Sequence, residues 1–183
     1  MKKRLKVYGF VALTLGAASL VIKYGYADLS ALAWHIRHGS HVNGGGVRVP
    51  VPISFEASDP AGLPSVLITR SRGLLWHEGG LIDIDFRRMP SPEDEEVLVA
   101  LLPKSSSTIK RTKIGERAAT FAGRQGKCVE YNTQLIAPGL VIKSYEIYCR
   151  FNGDVSARFM GSPKIKDNFY NIIQTAEPLG AKE

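Results

Sequence analysis

The feature that most constrains the fold is a long β-hairpin predicted around Pro138-Gly139. One strand is expected on each side of this turn, within residues 127–151, and Cys128 and Cys149 lie at equal distances from its centre. Residues that face each other across an antiparallel pair have Cα atoms close enough for a disulfide. The spacing therefore predicts a structural Cys128–Cys149 bridge. A redox-active pair or metal thiolates are the alternatives, but the two residues lack the Cys-x-x-Cys spacing of such sites.

The N-terminus predicts an oxidising compartment for this bridge. Four cations begin the chain, and residues 7–22 then form an uncharged, mainly apolar run. The four are Lys2, Lys3, Arg4 and Lys6. A basic stretch before an apolar core is typical of a segment that enters a secretion translocon. Because the positive-inside rule keeps the cations cytoplasmic, the rest of the chain is expected outside the cytoplasm, where disulfides persist.

Residues 1–27 have two expected fates. The apolar run is shorter than the ~20 residues that cross a bilayer as a helix, but Lys6 and Lys23 can snorkel to the two interfaces. The segment is then a transmembrane signal anchor, and the C-terminal domain lies outside the cytoplasm on a single-pass membrane protein. In the alternative, a peptidase removes the segment near residues 17–19 or 25–27, and the domain is secreted or periplasmic.

The net charge of +7 comes mainly from the same segment. The whole chain has 24 Lys and Arg against 17 Asp and Glu. Residues 1–27 hold five of the cations and none of the acids, which leaves 19 against 17 for the remainder. A nearly neutral remainder does not carry the basic face that nucleic-acid binding requires. We therefore expect no nucleic-acid partner.

After the leader, the pattern predicts an α+β fold. A short helix that is capped by Asp28 and ended by Gly39 leads into a Gly-rich turn, so that residues 28–46 form a juxtamembrane unit. Alternating apolar residues then predict strands at residues 47–55, 65–69 and 81–86, and residues 108–121 are expected as one or two strands broken near Gly115. Pro50 and Pro52 cannot donate to a β-ladder, so the first of these segments is expected to be an edge strand or an extended crossing segment.

Two further helices complete the predicted domain. Ser91 caps the first, which has a proline and acids in its opening turn, and the last helix begins at Ser162 with one apolar face. The expected architecture is an N-terminal transmembrane or signal helix followed by an antiparallel sheet of about five to seven strands, with helices packed mainly on one face. This domain spans residues 47–176, and residues 177–183 are expected to form a flexible tail.

Two clusters of side chains are candidate ligand sites. His35, His38 and His41 are spaced so that the first two share a helix face and the third can join from the turn, a pattern that could hold one metal ion. Imidazoles at a helix C-terminus also complement its dipole without any metal. Asp83 and Asp85 share one face of a strand, where they could bind a hard cation or serve acid–base chemistry, although such a face is usually solvated.

The C-terminal layout resembles a known family. A hairpin at residues 149–153 with the sequence CRFNG, a strand at residues 155–161 and a terminal amphipathic helix follow one another. This order of elements resembles that of small exported domains of the PsbP-like kind. The resemblance implies a non-catalytic accessory role at a membrane complex.

The sequence contains no nucleophile elbow, zinc-protease helix or phosphate-binding loop. It therefore favours a non-catalytic, membrane-anchored or exported domain, an accessory, assembly or binding protein of the bacterial cell envelope. Its expected partners are the membrane, through the N-terminal segment, and an envelope protein, and no cofactor is expected. The alternative is a metal-dependent binder or enzyme that uses either the three histidines or Asp83 and Asp85.

Overall fold

The computed structural model describes residues 2–58, 64–87, 90–92, 94–95, 108–137 and 139–180. It is a mixed structure of α-helix and β-strand in which antiparallel sheets dominate. In chain order the elements are α1 (Lys2–His38), β1 (His41–Gly44), β2 (Val47–Pro50), β3 (Glu56–Ser58), β4 (Ser65–Arg70), β5 (Gly80–Asp85), β6 (Thr108–Phe121), β7 (Arg124–Ala137), β8 (Leu140–Phe151), β9 (Val155–Gly161), a 3₁₀ helix (Pro163–Ile165), α2 (Lys166–Thr175) and β10 (Glu177–Pro178).

Within the described parts of the chain, the strands form two sheets. There the larger has seven strands in the order β3-β4-β5-β9-β8-β7-β6, and the smaller has three in the order β1-β2-β10. Every neighbouring pair in both sheets is antiparallel. β5 pairs directly with β9, although β6, β7 and β8 lie between them in the chain. These three strands therefore extend the sheet beyond β9, which places β9 and β8 near its centre.

The β7–β8 hairpin has the predicted register. Ala137 faces Leu140 next to the turn, and Cys128 faces Cys149 near the other end. The two cysteines form a disulfide with Cα atoms 3.9 Å apart, and both are fully buried. The predicted bridge is therefore present, and it links β7 to β8 at the core.

Alternate residues of β8 lie on different faces of the large sheet. Ile147 and Cys149 point into the hydrophobic core, whereas Glu146 and Tyr148 point the other way. We call the core side the inner face and the side of Glu146 the outer face. The inner face packs against α2 and the small sheet, whose main contributors are Val47, Val49, Phe169, Ile172 and Ile173. The helical turn at Ser91 contacts the outer face instead, so the helices do not all cover one side.

The chain between Asp28 and Gly39 differs from the expectation of a separate short helix. It is the end of α1, which is continuous from Lys2. Asp28 is buried within this helix, and its Oδ2 accepts a hydrogen bond from the Leu75 backbone N–H at 2.8 Å, so its carboxylate fastens a distant loop and does not cap. Gly39 does end the helix, with φ +77° and a hydrogen bond from its N–H to the His35 carbonyl.

Two other segments differ from the prediction in extent. The single strand expected at residues 47–55 is β2 followed by a turn in which the Phe55 N–H donates to the Pro52 carbonyl, because the prolines end the ladder there. The expected edge position is wrong, since β2 pairs with β1 on one side and with β10 on the other. The tail is ordered as far as it is described, since Glu177 and Pro178 pair with β2. Residues 181–183 and the predicted helix beyond Glu95 lie outside the described residues.

Among the residues that the structure describes, no helix has the length and apolar content needed to cross a membrane.

Candidate functional site

The outer face carries a network of buried charges centred on Glu146 of β8. Its side chain is only 1% exposed, and its Oε2 accepts hydrogen bonds from Arg111 Nε at 3.0 Å and Thr133 Oγ1 at 2.9 Å. Its Oε1 lies 2.6 Å from Arg158 Nε. One carboxylate is thus held by two guanidinium groups from β6 and β9, the strands on either side of the β7–β8 pair.

A second carboxylate ties this network to the segment before β6. Glu95 Oε2 accepts from Arg111 at 2.7 Å, and Glu95 Oε1 accepts from Arg158 at 2.6 Å. Arg111 also donates to the Pro92 carbonyl at 3.0 Å. The turn that holds these groups starts as predicted at Ser91, whose hydroxyl accepts from the Asp94 N–H. The network therefore fastens this helical turn to the middle of the sheet.

The position of Arg111 depends on an irregularity in β6. The β6–β7 register shifts between Lys113 and Gly115, so that Ile114 has no partner and Arg111 faces Thr133. Although burial disfavours its charge, the carboxylates of Glu146 and Glu95 raise the pKa of Arg111 above its ordinary value. Without the extra residue, Arg111 would point to the inner face, because successive side chains alternate.

The predicted pair Asp83 and Asp85 lies on the same outer face, at the edge of this network. Asp83 faces Arg158 across the β5–β9 pair. Burial and the neighbouring charge of Asp85 raise the pKa of Asp83, against the opposing effect of Arg158. Asp85 accepts a hydrogen bond from the Arg87 backbone N–H at 2.7 Å. Asp83 therefore faces a cation of the protein itself and Asp85 accepts from the backbone, and a hard-cation or acid–base role for them stays a prediction.

The inner face has a different polar cluster, around Glu130 of β7. Tyr145 Oη donates to its Oε2 at 2.5 Å, and Tyr170 Oη of α2 donates to its Oε1 at 2.7 Å. Lys166 Nζ lies 3.6 Å from Glu130 Oε2, and the guanidinium of Arg117 stacks on the ring of Tyr170. Burial acts to raise the pKa of Glu130, but the two phenol hydrogen bonds and the nearby cations lower it overall. This cluster fastens α2 to the sheet.

Two cavities border these networks. One of about 670 Å³ lies on the outer face at the Phe151 end of the β7–β8 hairpin, where Tyr131, Tyr148, Lys127 and Arg150 are among the lining residues. Another of about 690 Å³ lies at the opposite end, between the hairpin and the loop at residues 71–79. Both are wide, shallow depressions, and their volumes lie in the range of small-molecule sites.

The three predicted metal ligands are not brought together by the structure. Both ring nitrogens of His35 face backbone carbonyls, Nδ1 that of Gly39 at 2.9 Å and Nε2 those of Pro52 and Phe55 at 3.0 Å. His38 Nδ1 faces the Trp34 carbonyl at 3.0 Å. Carbonyl oxygens only accept hydrogen bonds, so a ring nitrogen that donates to one has no lone pair free for a metal ion.

His41 lies on β1, where Ser40 Oγ is 2.9 Å from its Nδ1 and where burial, with help from Arg48, lowers its pKa. Among the described residues, no three His, Cys, Asp or Glu side chains are grouped so that they could hold a metal ion. The metal site of His35, His38 and His41 therefore stays a prediction. Metal analysis of tag-free protein tests it, because zinc, copper or nickel at near-stoichiometric level would support the site and its loss on chelation would confirm the affinity.

The Glu146 network is the polar feature that sequence reasoning missed. A lone glutamate among the apolar residues of β8 was the available signal, since a charge in the middle of a central strand needs a partner. Its partners could not be named, because Arg158 and Arg111 reach it only through the strand order β9-β8-β7-β6 and the shift in β6.

No family model matches the chain, and no curated protein matches it. Among the solved structures that are similar is the solution structure of cyanobacterial PsbP (CyanoP) from Synechocystis sp. PCC 6803, with 14% identity and a TM-score of 0.40, over 73% of this chain and 87% of that chain. The chain thus has the weak PsbP-like resemblance that its C-terminal layout predicts. A TM-score of this size relates the two layouts only, and the role of this chain has to be inferred from its own residues.

Proposed function

We propose that this chain is a non-catalytic domain of the bacterial cell envelope that is tethered to the membrane by its N-terminal segment and acts as an accessory, assembly or binding protein. The observation that carries the proposal is the use of its buried charges. Glu146 is enclosed by two guanidinium groups, and Glu130 is held between two phenols. Such groups fasten elements of the fold to one another.

An acid or base in catalysis has to exchange a proton with a bound substrate, and it therefore lies within hydrogen-bond reach of an open site. Glu146 is 1% exposed and its partner Arg111 is 4% exposed. Both oxygens of Glu146 already face cations of the protein. The pair of Glu146 and Arg111 is consequently closed to substrate, which supports a structural use of its charges.

Export is supported by the leader and the disulfide together. The cations before residue 7 and the apolar run after them are a translocation signal in the sequence. The Cys128–Cys149 bridge is fully buried in the core, and such bridges persist in oxidising compartments and are rare in the cytosol. Retention of residues 1–27 makes the protein an anchored one, and their removal makes it a periplasmic or secreted one.

The intact mass of the protein from the envelope fraction of a bacterial host tests this proposal. The expected result is the full-length mass, in a fraction that resists alkaline carbonate, with two alkyl groups gained only after reduction. A mass that lacks residues 1–27 would replace the anchor by the exported form. Full-length protein in the cytosol with both thiols free to alkylate would overturn the proposal. The variant Cys128→Ser/Cys149→Ser is the matched control for alkylation.

A further inference from the structure

One end of the large sheet extends into an exposed arm. The β8–β9 pairing stops at Tyr145 opposite Gly161, but β8 continues to Leu140 and β7 to Ala137, with the first half of β6 beside them. We call residues 108–113, 131–137 and 140–144 the apolar arm. From Tyr145 to Leu140 it projects by roughly 17 Å, at the rise of a β-strand.

The tip of the arm is apolar on both faces. Leu140, Val141 and Ile142 are 53%, 56% and 47% exposed, and Leu135 and Ile136 on β7 are 36% and 38% exposed. Leu135 faces Ile142 and Ile136 faces Val141, so that successive apolar rungs point to opposite sides. A soluble surface seldom collects large apolar side chains in this way, and such a patch marks an interaction site.

The charges around the tip have one sign. Residues 108–115 and 131–145 contain Lys110, Arg111, Lys113 and Lys143 and no acid. Arg111 is enclosed by the Glu146 network, but Lys110 and Lys143 are exposed. The arm thus presents an apolar tip with lysines behind it, which is the charge distribution that an anionic lipid surface attracts.

The N-terminal helix leaves the domain at this same end of the sheet. The loop at residues 71–79 joins Arg70 to Gly80, and Gly80 lies on the rung that continues through Gly161 to Tyr145. Asp28 of α1 is hydrogen-bonded to Leu75 in this loop, and Gly25 lies next to Leu74.

Leu75 is 69% exposed. Two apolar side chains farther upstream on α1 are also exposed, Leu15 at 66% and Ile22 at 71%. The apolar run of α1, the loop leucines and the apolar arm therefore all lie at one end of the domain. We propose that the apolar arm is a second membrane contact, which rests on the anionic bilayer that holds the N-terminal segment.

This inference rests on the proposed function, because it needs the domain to be close to a membrane. The arm lies at the level of the headgroups and does not cross the hydrocarbon. Residues 140–144 of β8 pair with β7, but their other edge has no strand pairing in the described structure, and open strand edges are not tolerated within the hydrocarbon. Insertion of the last two rungs, roughly 7 Å, brings Lys143 and Lys110 to the phosphates.

A fluorescent probe at the tip tests the contact in the full-length chain. Both native cysteines are in the disulfide, so Val141→Cys supplies one reactive thiol. The labelled protein is reconstituted into vesicles of phosphatidylcholine and phosphatidylglycerol, separated by flotation, and exposed either to lipid with a nitroxide near the headgroup or to aqueous iodide. The matched control is Asn152→Cys, an exposed position at the opposite end of β8.

We expect the lipid nitroxide to quench the probe at Val141→Cys and iodide to quench the probe at Asn152→Cys, with lipid quenching at least about twofold weaker on phosphatidylcholine alone. Flotation with both probes equally open to iodide would overturn the membrane contact and leave the tether intact. Protection of the Val141→Cys probe from both quenchers would indicate a protein partner or a second copy, and it would also overturn the contact. Failure to float would overturn the tether and the contact together.

Discussion

Glu146 and Glu130 lie on neighbouring strands, on opposite faces of the same sheet, and each joins a helical segment to that sheet. They differ in what surrounds them. Glu146 is 1% exposed and is paired with the charged Arg111 and Arg158, whereas Glu130 is 14% exposed and accepts from the neutral hydroxyls of Tyr145 and Tyr170. The carboxylate on the outer face is thus paired with charged donors, whereas the hydrogen bonds to the carboxylate on the inner face come from neutral hydroxyls, with Lys166 farther away at 3.6 Å.

The difference teaches what each face requires of its carboxylate. A buried cation that loses its anion keeps its own desolvation penalty, so an ion pair fails badly when one member is removed. A phenol that loses a charged acceptor can still donate to a neutral oxygen in the same place. The same substitution should therefore be costly on the outer face and mild on the inner face.

The largest effect is expected for Glu146→Gln. The amide keeps the shape but removes the charge that Arg111 and Arg158 share, and it turns an N–H donor toward a guanidinium. Because both Glu146 and Arg111 are nearly fully buried, we expect a loss of about 3–5 kcal/mol in the free energy of unfolding. Urea unfolding at pH 7 measures it.

Glu116→Gln is the control for this loss. Glu116 pairs with Lys113 and Lys127 on the surface, where solvent screens the charges, and its substitution should leave the urea midpoint almost unchanged. A loss for Glu146→Gln no larger than that of the control would mean that the network does not hold the outer face.

The disulfide lies in the same β7–β8 pair as the two carboxylates, close to Glu130 along the hairpin, and its removal should weaken both faces. For Cys128→Ala/Cys149→Ala we expect a loss of about 3 kcal/mol, the value of the chain-entropy model for a loop of this length, which here joins residues 21 apart. The urea midpoint of the oxidised parent against the double variant measures the loss. Equal midpoints would show that the strand pairing alone maintains the register.

Much of the β7–β8–β9–α2 half could be predicted, because its signals are local. A turn at Pro138-Gly139 sets the Cys128–Cys149 register, and the apolar period of the last helix ends where α2 does. Ser91 likewise caps its turn through contacts three residues away. Short-range patterns of this kind depend on residues close together in the sequence, so the sequence alone predicts them.

The contacts that failed prediction are long-range. The sequence predicts Asp28 as a helix cap, yet its carboxylate accepts a hydrogen bond from the backbone N–H of Leu75, 47 residues away. Glu146 and Arg158 are close in sequence, but Arg111 joins them only because β6 is shifted by one residue near Ile114. The pairing of Glu177 with β2 involves two residues, too few for any period. Strand order, bulges and short edge pairings depend on tertiary packing, which overrides local preference.

Glu130→Gln is the inner-face counterpart of the first substitution and should be milder. Tyr145 can still donate to the amide oxygen, while Tyr170 has to accommodate the amide N–H₂. We expect a loss of about 1.5–3 kcal/mol, the value of a hydrogen bond to a charged group. Urea unfolding at pH 7 measures it. A loss that equals that of Glu146→Gln would remove the distinction between the two faces.

Alkaline pH should weaken the inner face through its tyrosines. Burial and the hydrogen bonds to Glu130 raise the pKa of both Tyr145 and Tyr170 above the ordinary value of about 10. The folded protein therefore holds these protons more tightly than the unfolded chain, and this part of the stability is complete below pH ~10 and is lost as the pH rises further. Urea midpoints at increasing pH should fall less steeply in Tyr170→Phe than in the parent, and parallel curves would contradict the assignment.

The smallest effect is expected at the margin of the outer face, for Asp83→Asn. Burial and the charge of Asp85 raise the pKa of Asp83, so the folded protein binds its proton more tightly than the unfolded chain does. Ionisation of Asp83 therefore opposes folding as the pH rises from about 4 through the folded pKa. The amide removes this penalty, and Arg158 keeps Glu146 and Glu95 as partners. Thermal unfolding should show a small gain for the variant that is larger at pH 7 than at pH 4.5. An equal gain at both pH values would assign the effect to packing, and a loss at pH 7 would mean that Asp83 belongs to the network that Glu146 organises.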